Sequence, residues 1–261
     1  MTRLHPLQAA SLSAFSPTIK HGFFTREGGI SDPPLHSLNC ALTRGVLEQG
    51  LENRRRISAY FDHPLEYLCC MQQLHGNQVH VIDSPYDPLD PVQGDGLITN
   101  VPGLILGVLT ADCVPILIAD PVSPRIAAIH AGWRGLQSGV IEATLERLVQ
   151  LGSDLRQCIA VTGPCIAGQN YEVGSEVKEA FVSTHPERIN CFQPTACPSH
   201  FLFDLRRCAQ NILETYHLKT VEILTEDTYS LADEFFSCRR SFHQGESMFG
   251  NQLSALCINP T

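Results

Sequence analysis

The sequence predicts an α+β fold, a single domain over residues 1–261 with mixed or antiparallel β-sheets flanked by helices. Three features point there. β-Prone apolar runs are more numerous than a simple strand–helix–strand alternation would supply. A strong turn signal, "DPVSP" at residues 120–124, lies between two of those runs and calls for an antiparallel pair. The Pro-, Asp- and Gly-rich breaks, "DSPYDPLDPVQGDG" at 83–96 and "CPSH" at 197–200, are too short to link separate domains.

The elements follow in order. A helical pattern covers 48–61, and the β-prone segment 79–82 comes after "QLHGNQ". Residues 83–96 read as a surface loop. Apolar strands are expected at 103–109, 114–119 and 126–129. The stretch "GLQSGVIEATLERLVQLG" sets Leu136, Val140, Thr144, Leu148 and Leu151 on one face of a helix over 136–151, with Gly152 suited to its C-terminal cap. A strand at 158–162 and a helix at 175–184 come next. Asp204 is placed to N-cap a helix over 205–216 whose buried side carries Leu205, Cys208, Ile212 and Tyr216. A last strand is expected at 221–224.

Composition narrows the function classes. Hydrophobic residues make up 43% and charged residues 17%, the balance of a soluble globular protein. No apolar run reaches membrane-spanning length, and the N-terminus lacks the pattern of a secretory signal, so a cytoplasmic protein without a membrane partner is expected. The net charge of −9 argues against nucleic acid as the main partner, because phosphate backbones demand a basic stripe. Eleven cysteines, an odd number with no CxxC pair, read as reduced thiols rather than a disulfide framework or zinc ribbon. A monomer is favoured.

Cys113 and His130 interrupt two of the apolar runs. If the chain reverses about Val122 and Ser123, Cys113 falls near residue 132 and His130 near residue 115, at the end of the hairpin remote from its turn. Three readings stay open at this point: packed core residues, a nucleophile with its base, or two ligands of one metal. "HAGWRG" places His130 before two glycines and a helix start, where backbone N–H groups and Arg134 would suit an anion. His75, in "QLHGNQ", would complete a His/Cys/His set, which suits zinc and leaves a position for water or substrate. His80 lies five residues further on, so strand alternation puts it on the opposite face, in a structural or supporting role.

The sequence resembles the YfiH family of laccase-domain, polyphenol-oxidase-type proteins. The resemblance runs from "HGFFTREGGISDPPLHSLN" to "FFSCRR" through "QLHGNQV", "GDGLITNVPGLILGVLTADCVPIL", "AAIHAGWRG" and "GPCIAGQNYEVG". It implies a fold related to deamidating toxins and a zinc site at His75, Cys113 and His130, with zinc-bound water as the catalytic group. This chain departs from the family pattern at Val46, after Gly45, and at Asn251, where many relatives have Arg.

The resemblance further implies purine nucleoside and phosphate as substrates. The reactions are phosphorolysis of adenosine, inosine, guanosine and methylthioadenosine, and deamination of adenosine. Deamination needs a zinc-activated water directed at C6 of adenine, and phosphorolysis needs phosphate beside the ribose C1′. Candidate phosphate partners are Arg26, Arg44, Arg134, Arg239 and Arg240; other pocket candidates are Asn39, Asp95, Thr110 and Asp112. Asn39 and Asp95 equally suit turn chemistry. Three alternatives accompany this expectation. Cys113 and His130 would serve as nucleophile and base in a metal-independent hydrolase. The same three ligands would accept copper, although eleven scattered histidines without a His-x-His do not suit a multicopper site. An amidase that edits mispaired amino acids in peptidoglycan precursors is also known in the family.

Overall fold

A computed structural model describes residues 4–260. The chain opens with helix α1 (Ala10–Ser13), strand β1 (Ile19–Phe23) and helix α2 (Leu47–Tyr60). Five strands follow: β2 (Leu68–Cys70), β3 (Val79–Val81), β4 (Gly96–Thr99), β5 (Ile105–Thr110) and β6 (Val114–Asp120). Strand β7 (Arg125–Ala131) leads into α3 (Trp133–Ser138), α4 (Val140–Gln150) and β8 (Ile159–Thr162). Then come β9 (Glu172–Gly174), α5 (Ser175–Thr184), β10 (Phe192–Pro194), β11 (His200–Phe203), α6 (Leu205–Thr215) and β12 (Thr220–Ile223). Helix α7 (Cys238–His243) and strand β13 (Gln252–Ile258) close the chain.

Two large sheets stack. One runs β1-β13-β5-β2, the other β12-β8-β6-β7-β4-β3, and a small sheet β10-β11-β9 lies beside them. Both large sheets are mixed: β2/β5, β3/β4 and β12/β8 are parallel, the remaining pairs antiparallel. The expected α+β class is what the chain adopts.

Period-2 alternation shows why so many strands read as unbroken apolar runs. Leu117 and Ala119 of β6 face the four-stranded sheet, packing with Leu106, Val108, Leu256 and Ile258. Ile116 and Ile118 point the other way, into Leu136, Val140, Leu145 and Ile212 of the helices. The outer face of the four-stranded sheet carries Ile105, Leu253, Ala255 and Cys257 against Ile57 of α2 and Phe61, which follows it. Both faces of the central strands are therefore buried, and no polar alternation survives in the sequence.

Several boundaries differ from expectation. The helix expected over 136–151 is two helices, because Gly139 takes the left-handed conformation (φ 85°) that caps α3 and then begins α4. Gly152 (φ 96°) closes α4 as expected. Asp204 does N-cap α6, its carboxylate accepting the Arg207 N–H at 2.9 Å. Strands β1, β2, β4, β13 and the small sheet lay outside the sequence reading; each is a short segment or one whose partners are remote in sequence. Among the described residues no helix is long and apolar enough to cross a membrane.

Candidate metal centre

The hairpin of β6 and β7 delivers the first two candidates. Pro115 pairs with His130 and Val114 with Ala131, which fixes the register that the turn alone left open. Cys113 ends the loop that enters β6, directly after Asp112, whose backbone is left-handed (φ 95°). His75 comes from the loop between β2 and β3. One ligand atom from each of His75, Cys113 and His130 lies within 4.8 Å of the others. The imidazoles meet edge to face at 4.7 Å, and Cys113 Sγ is 4.0 Å from His75 Nε2.

Asp95 organises the histidines. Its Oδ1 accepts from His130 Nδ1 at 2.8 Å and from the His75 backbone N–H at 2.9 Å. Its Oδ2 accepts the N–H groups of Gly76 (2.8 Å) and Leu74 (3.1 Å). This nest of three successive N–H groups fits the left-handed backbone of His75 (φ 60°), an uncommon state for a non-glycine residue. Gln73 anchors the same loop by exchanging two hydrogen bonds with the backbone of Leu109, at 2.7 and 2.8 Å. The loop read as surface from 83 to 96 thus turns inward at its end, where Asp95 is fully buried.

The electrostatics follow from these contacts. Burial raises the cost of ionised Asp95, but hydrogen bonds from His130 and from the Gly76 and His75 N–H groups outweigh it and keep the carboxyl below its usual range. Burial and the neighbouring His130, with further contributions from Arg134 and Arg44, lower the proton affinity of His75. Burial, then Asp112, pushes the Cys113 thiol far above the usual thiol range. Nor is there spare room at the centre. A Cβ on Gly132 would lie 2.9 Å from His75 Cδ2 and 3.0 Å from Cys113 Sγ.

The remaining candidates divide. Arg44 stacks 3.8 Å from the Phe249 ring, donates to Asn251 Oδ1 at 2.6 Å and acts electrostatically on His75 and Cys238. Arg134 lies 4.4 Å from the Trp133 ring and also acts on His75. The helix behind it, α3, has only six residues, so the expected long-helix anion site is reduced to a short turn. Arg239 donates to the Glu172 carbonyl at 2.7 Å and lies over the Tyr171 ring at 4.8 Å.

Others are absorbed into the frame. Arg240 donates to the carbonyls of Thr228, Tyr229 and Phe235, and Arg26 to those of His36 and Ala232, so both guanidinium groups brace backbone rather than face the centre. Asn39 ties its own loop together, donating to the Arg44 carbonyl and accepting from Ala41 and Asn251 N–H groups. Asp112 is a buried brace that accepts from Thr228 Oγ1 and the Arg239 N–H, both at 2.7 Å. Thr110 ends β5 opposite Gln252, buried and with no protein partner for its Oγ1. His80 donates from Nε2 to the Gln93 carbonyl at 2.7 Å, outside the centre.

Sequence reasoning missed Tyr171 and Cys238. Both couple electrostatically to Cys113; Tyr171 directly precedes β9 and Cys238 opens α7, and although they lie within "GPCIAGQNYEVG" and "FFSCRR", nothing in those motifs singles them out. Two cavities of about 290 and 530 Å³ lie elsewhere, around Asp204 and Arg206 and around Arg188 and Tyr216, and contain none of the candidate ligands.

A family described as multi-copper polyphenol oxidoreductase laccase matches residues 20–259. The chain belongs to the YfiH family. Among curated YfiH-family relatives, a Pseudomonas aeruginosa protein named purine nucleoside phosphorylase is 36% identical over 222 residues, 85% of this chain and 88% of its own length. A Rickettsia conorii protein of the same name is 34% identical, covering 80% of this chain and 84% of its own. Among solved structures, YlmD from Geobacillus stearothermophilus superposes with a TM-score of 0.88 at 25% identity, over 99% of this chain and 97% of its own. A Neisseria meningitidis protein assigned to DUF152 gives 0.84 at 26% identity, over 99% and 100%.

Proposed function

We propose that this YfiH-family chain is a zinc-dependent purine nucleoside enzyme. It phosphorolyses adenosine, inosine, guanosine and methylthioadenosine, and it deaminates adenosine. One observation carries the reading: two imidazoles and a thiol from three separate segments converge to within 4.8 Å. The names of the relatives, purine nucleoside phosphorylase, support the substrate class.

The donor set fits zinc. His75 is biased towards neutral imidazole, and a thiol whose ionisation is so heavily penalised needs a cation beside it to become a thiolate. His75 Nε2, Cys113 Sγ and the free nitrogen of His130 would hold the ion; copper suits the same three atoms. When bound, zinc supplies Lewis acidity and an acidified water. Asp95 keeps the proton on His130 Nδ1, which leaves the ring's other nitrogen with its lone pair. In phosphorolysis a phosphate oxygen bonds to ribose C1′ as the bond to the purine nitrogen breaks. Arg44, Arg134 and Arg239 hold that phosphate and offset its charge.

The test is the product formed from adenosine with and without phosphate. Adenine with ribose 1-phosphate reports phosphorolysis, and inosine reports deamination. No turnover by zinc-loaded protein, together with cleavage of a peptidoglycan precursor, would replace this reading with the amidase one. A second reading rests on the Asp95–His130 hydrogen bond, which is also how a base is oriented for a cysteine nucleophile. Turnover that survives complete zinc removal would select it.

A further inference from the structure

Eight of the eleven cysteines are buried, and Cys113 and Cys238 are partly covered; Cys197 is the exposed one. It sits at the tip of the β10–β11 hairpin, in the "CPSH" break, and is not one of the three ligands of the metal centre. The tip is well fixed. Thr195 Oγ1 donates towards the carbonyls of Cys197 and His200, the His200 N–H donates back to the Cys197 carbonyl, and the Ser175 N–H donates to the Ser199 carbonyl. Fixed in this way, Cys197 Sγ lies 3.2 Å from His200 Nδ1 and 3.2 Å from Ser199 Oγ, and the hydroxyl is 3.1 Å from the same nitrogen.

We propose that Cys197 is a site of thiol–disulfide exchange, with His200 as its proton acceptor and a low-molecular-weight disulfide as its reaction partner. The proton passes from Sγ to His200 Nδ1. The thiolate bonds to one sulfur of the disulfide as that S–S bond breaks, and the departing thiolate takes the proton from the imidazolium. The products are a mixed disulfide on Cys197 and one free thiol, so no further oxidant enters.

The charges around the tip favour this transfer. Hydrogen bonds from Ser199 and then His200 bring the thiol down to about 7. The Cys197 partner, with Glu172 at β9 and Glu176 on α5, raises the proton affinity of His200. Every other accessible thiol is shifted the opposite way: burial raises both Cys113 and Cys238.

Oxidised glutathione is the probe, added to the full chain, with peptide mass mapping over time and over a pH series. Cys197 is expected to be the first residue modified, at a rate that rises through a midpoint near 7. In His200→Gln the midpoint moves up towards the ordinary thiol value of about 8.5. A larger thiolate fraction is partly offset by the lower nucleophilicity of an acidic thiol, so the loss of rate at neutral pH is about threefold and grows as the pH falls. Modification of Cys113 or Cys238 ahead of Cys197 would overturn the proposal, as would an unmoved midpoint in His200→Gln. Cys197→Ala, which leaves His75, Cys113 and His130 untouched, is expected to abolish the fast phase and leave adenosine turnover unchanged.

Discussion

Asp95 grips His130 twice: its main-chain carbonyl accepts the His130 N–H at 2.8 Å, and its Oδ1 accepts from the imidazole Nδ1 at the same distance. The same carboxylate gathers the N–H groups of residues 74–76, so one buried side chain sets the position of two candidate ligands. Asp95→Asn keeps the shape but replaces one acceptor oxygen with an NH2 group that can only donate. Zinc affinity, measured by competition with a chelator, is expected to fall by about 10- to 100-fold. Unchanged affinity would remove Asp95 from the centre.

Gly132 tests the geometry by size alone, because its φ of −78° is open to any residue. The Cβ of Gly132→Ala would press on His75 Cδ2 and Cys113 Sγ at 2.9 and 3.0 Å. Displacing the ligands by a fraction of an ångström to one ångström is expected to reduce turnover by about 100-fold. The melting temperature should fall only slightly, and bound zinc per chain should fall in parallel with turnover.

Arginines give a contrast. Arg240→Ala strips donors from the carbonyls of Thr228, Tyr229 and Phe235. Stability should drop by about 1–3 kcal/mol in urea unfolding while KM for phosphate stays constant. Arg44→Ala should do the reverse, raising KM for phosphate by about tenfold or more with a smaller loss of stability. Equal behaviour of the two variants would contradict the division drawn between them.

His21 predicts acid sensitivity away from the centre. It is buried, and its Nε2 accepts the Ala9 N–H at 2.9 Å, which requires the neutral ring. Burial, only partly opposed by Glu222, lowers its pKa from 6.5 to about 4. The folded state therefore binds this proton less readily than the unfolded chain. The contribution to stability is complete above the unfolded value and is lost as pH falls through the folded one. Between neutral pH and about pH 4.5 the loss is about 2–3 kcal/mol. Urea midpoints should show it in the parent chain and not in His21→Gln.

The legible parts of the sequence were those with local causes. Turn chemistry at 120–124 located the β6–β7 hairpin, while the register that sets His130 opposite Pro115 comes from the structure. Asp204 marked the start of α6, and helical spacing marked α2, α5 and α6 to within a residue. Gly139 was harder to read, because glycine occurs inside helices and only its left-handed backbone splits α3 from α4. Strand β13 pairs with β1 and β5, both far away in the chain, so no local signal distinguishes it from another apolar segment. At the centre, the residue types His, Cys and His suggested a metal, but the role of Asp95 comes only from tertiary hydrogen bonds. A carboxylate in "GDG" looks the same in the sequence whether it shapes a turn or holds two histidines.

The most direct test of the central claim is adenosine turnover in the presence of phosphate, followed through one cycle of metal removal and zinc return. The account predicts adenine and ribose 1-phosphate from the zinc-loaded chain, loss of both on chelation, recovery when one zinc per chain is restored, and no recovery in His75→Ala. Undiminished turnover by metal-free protein, or full recovery in His75→Ala, would contradict it.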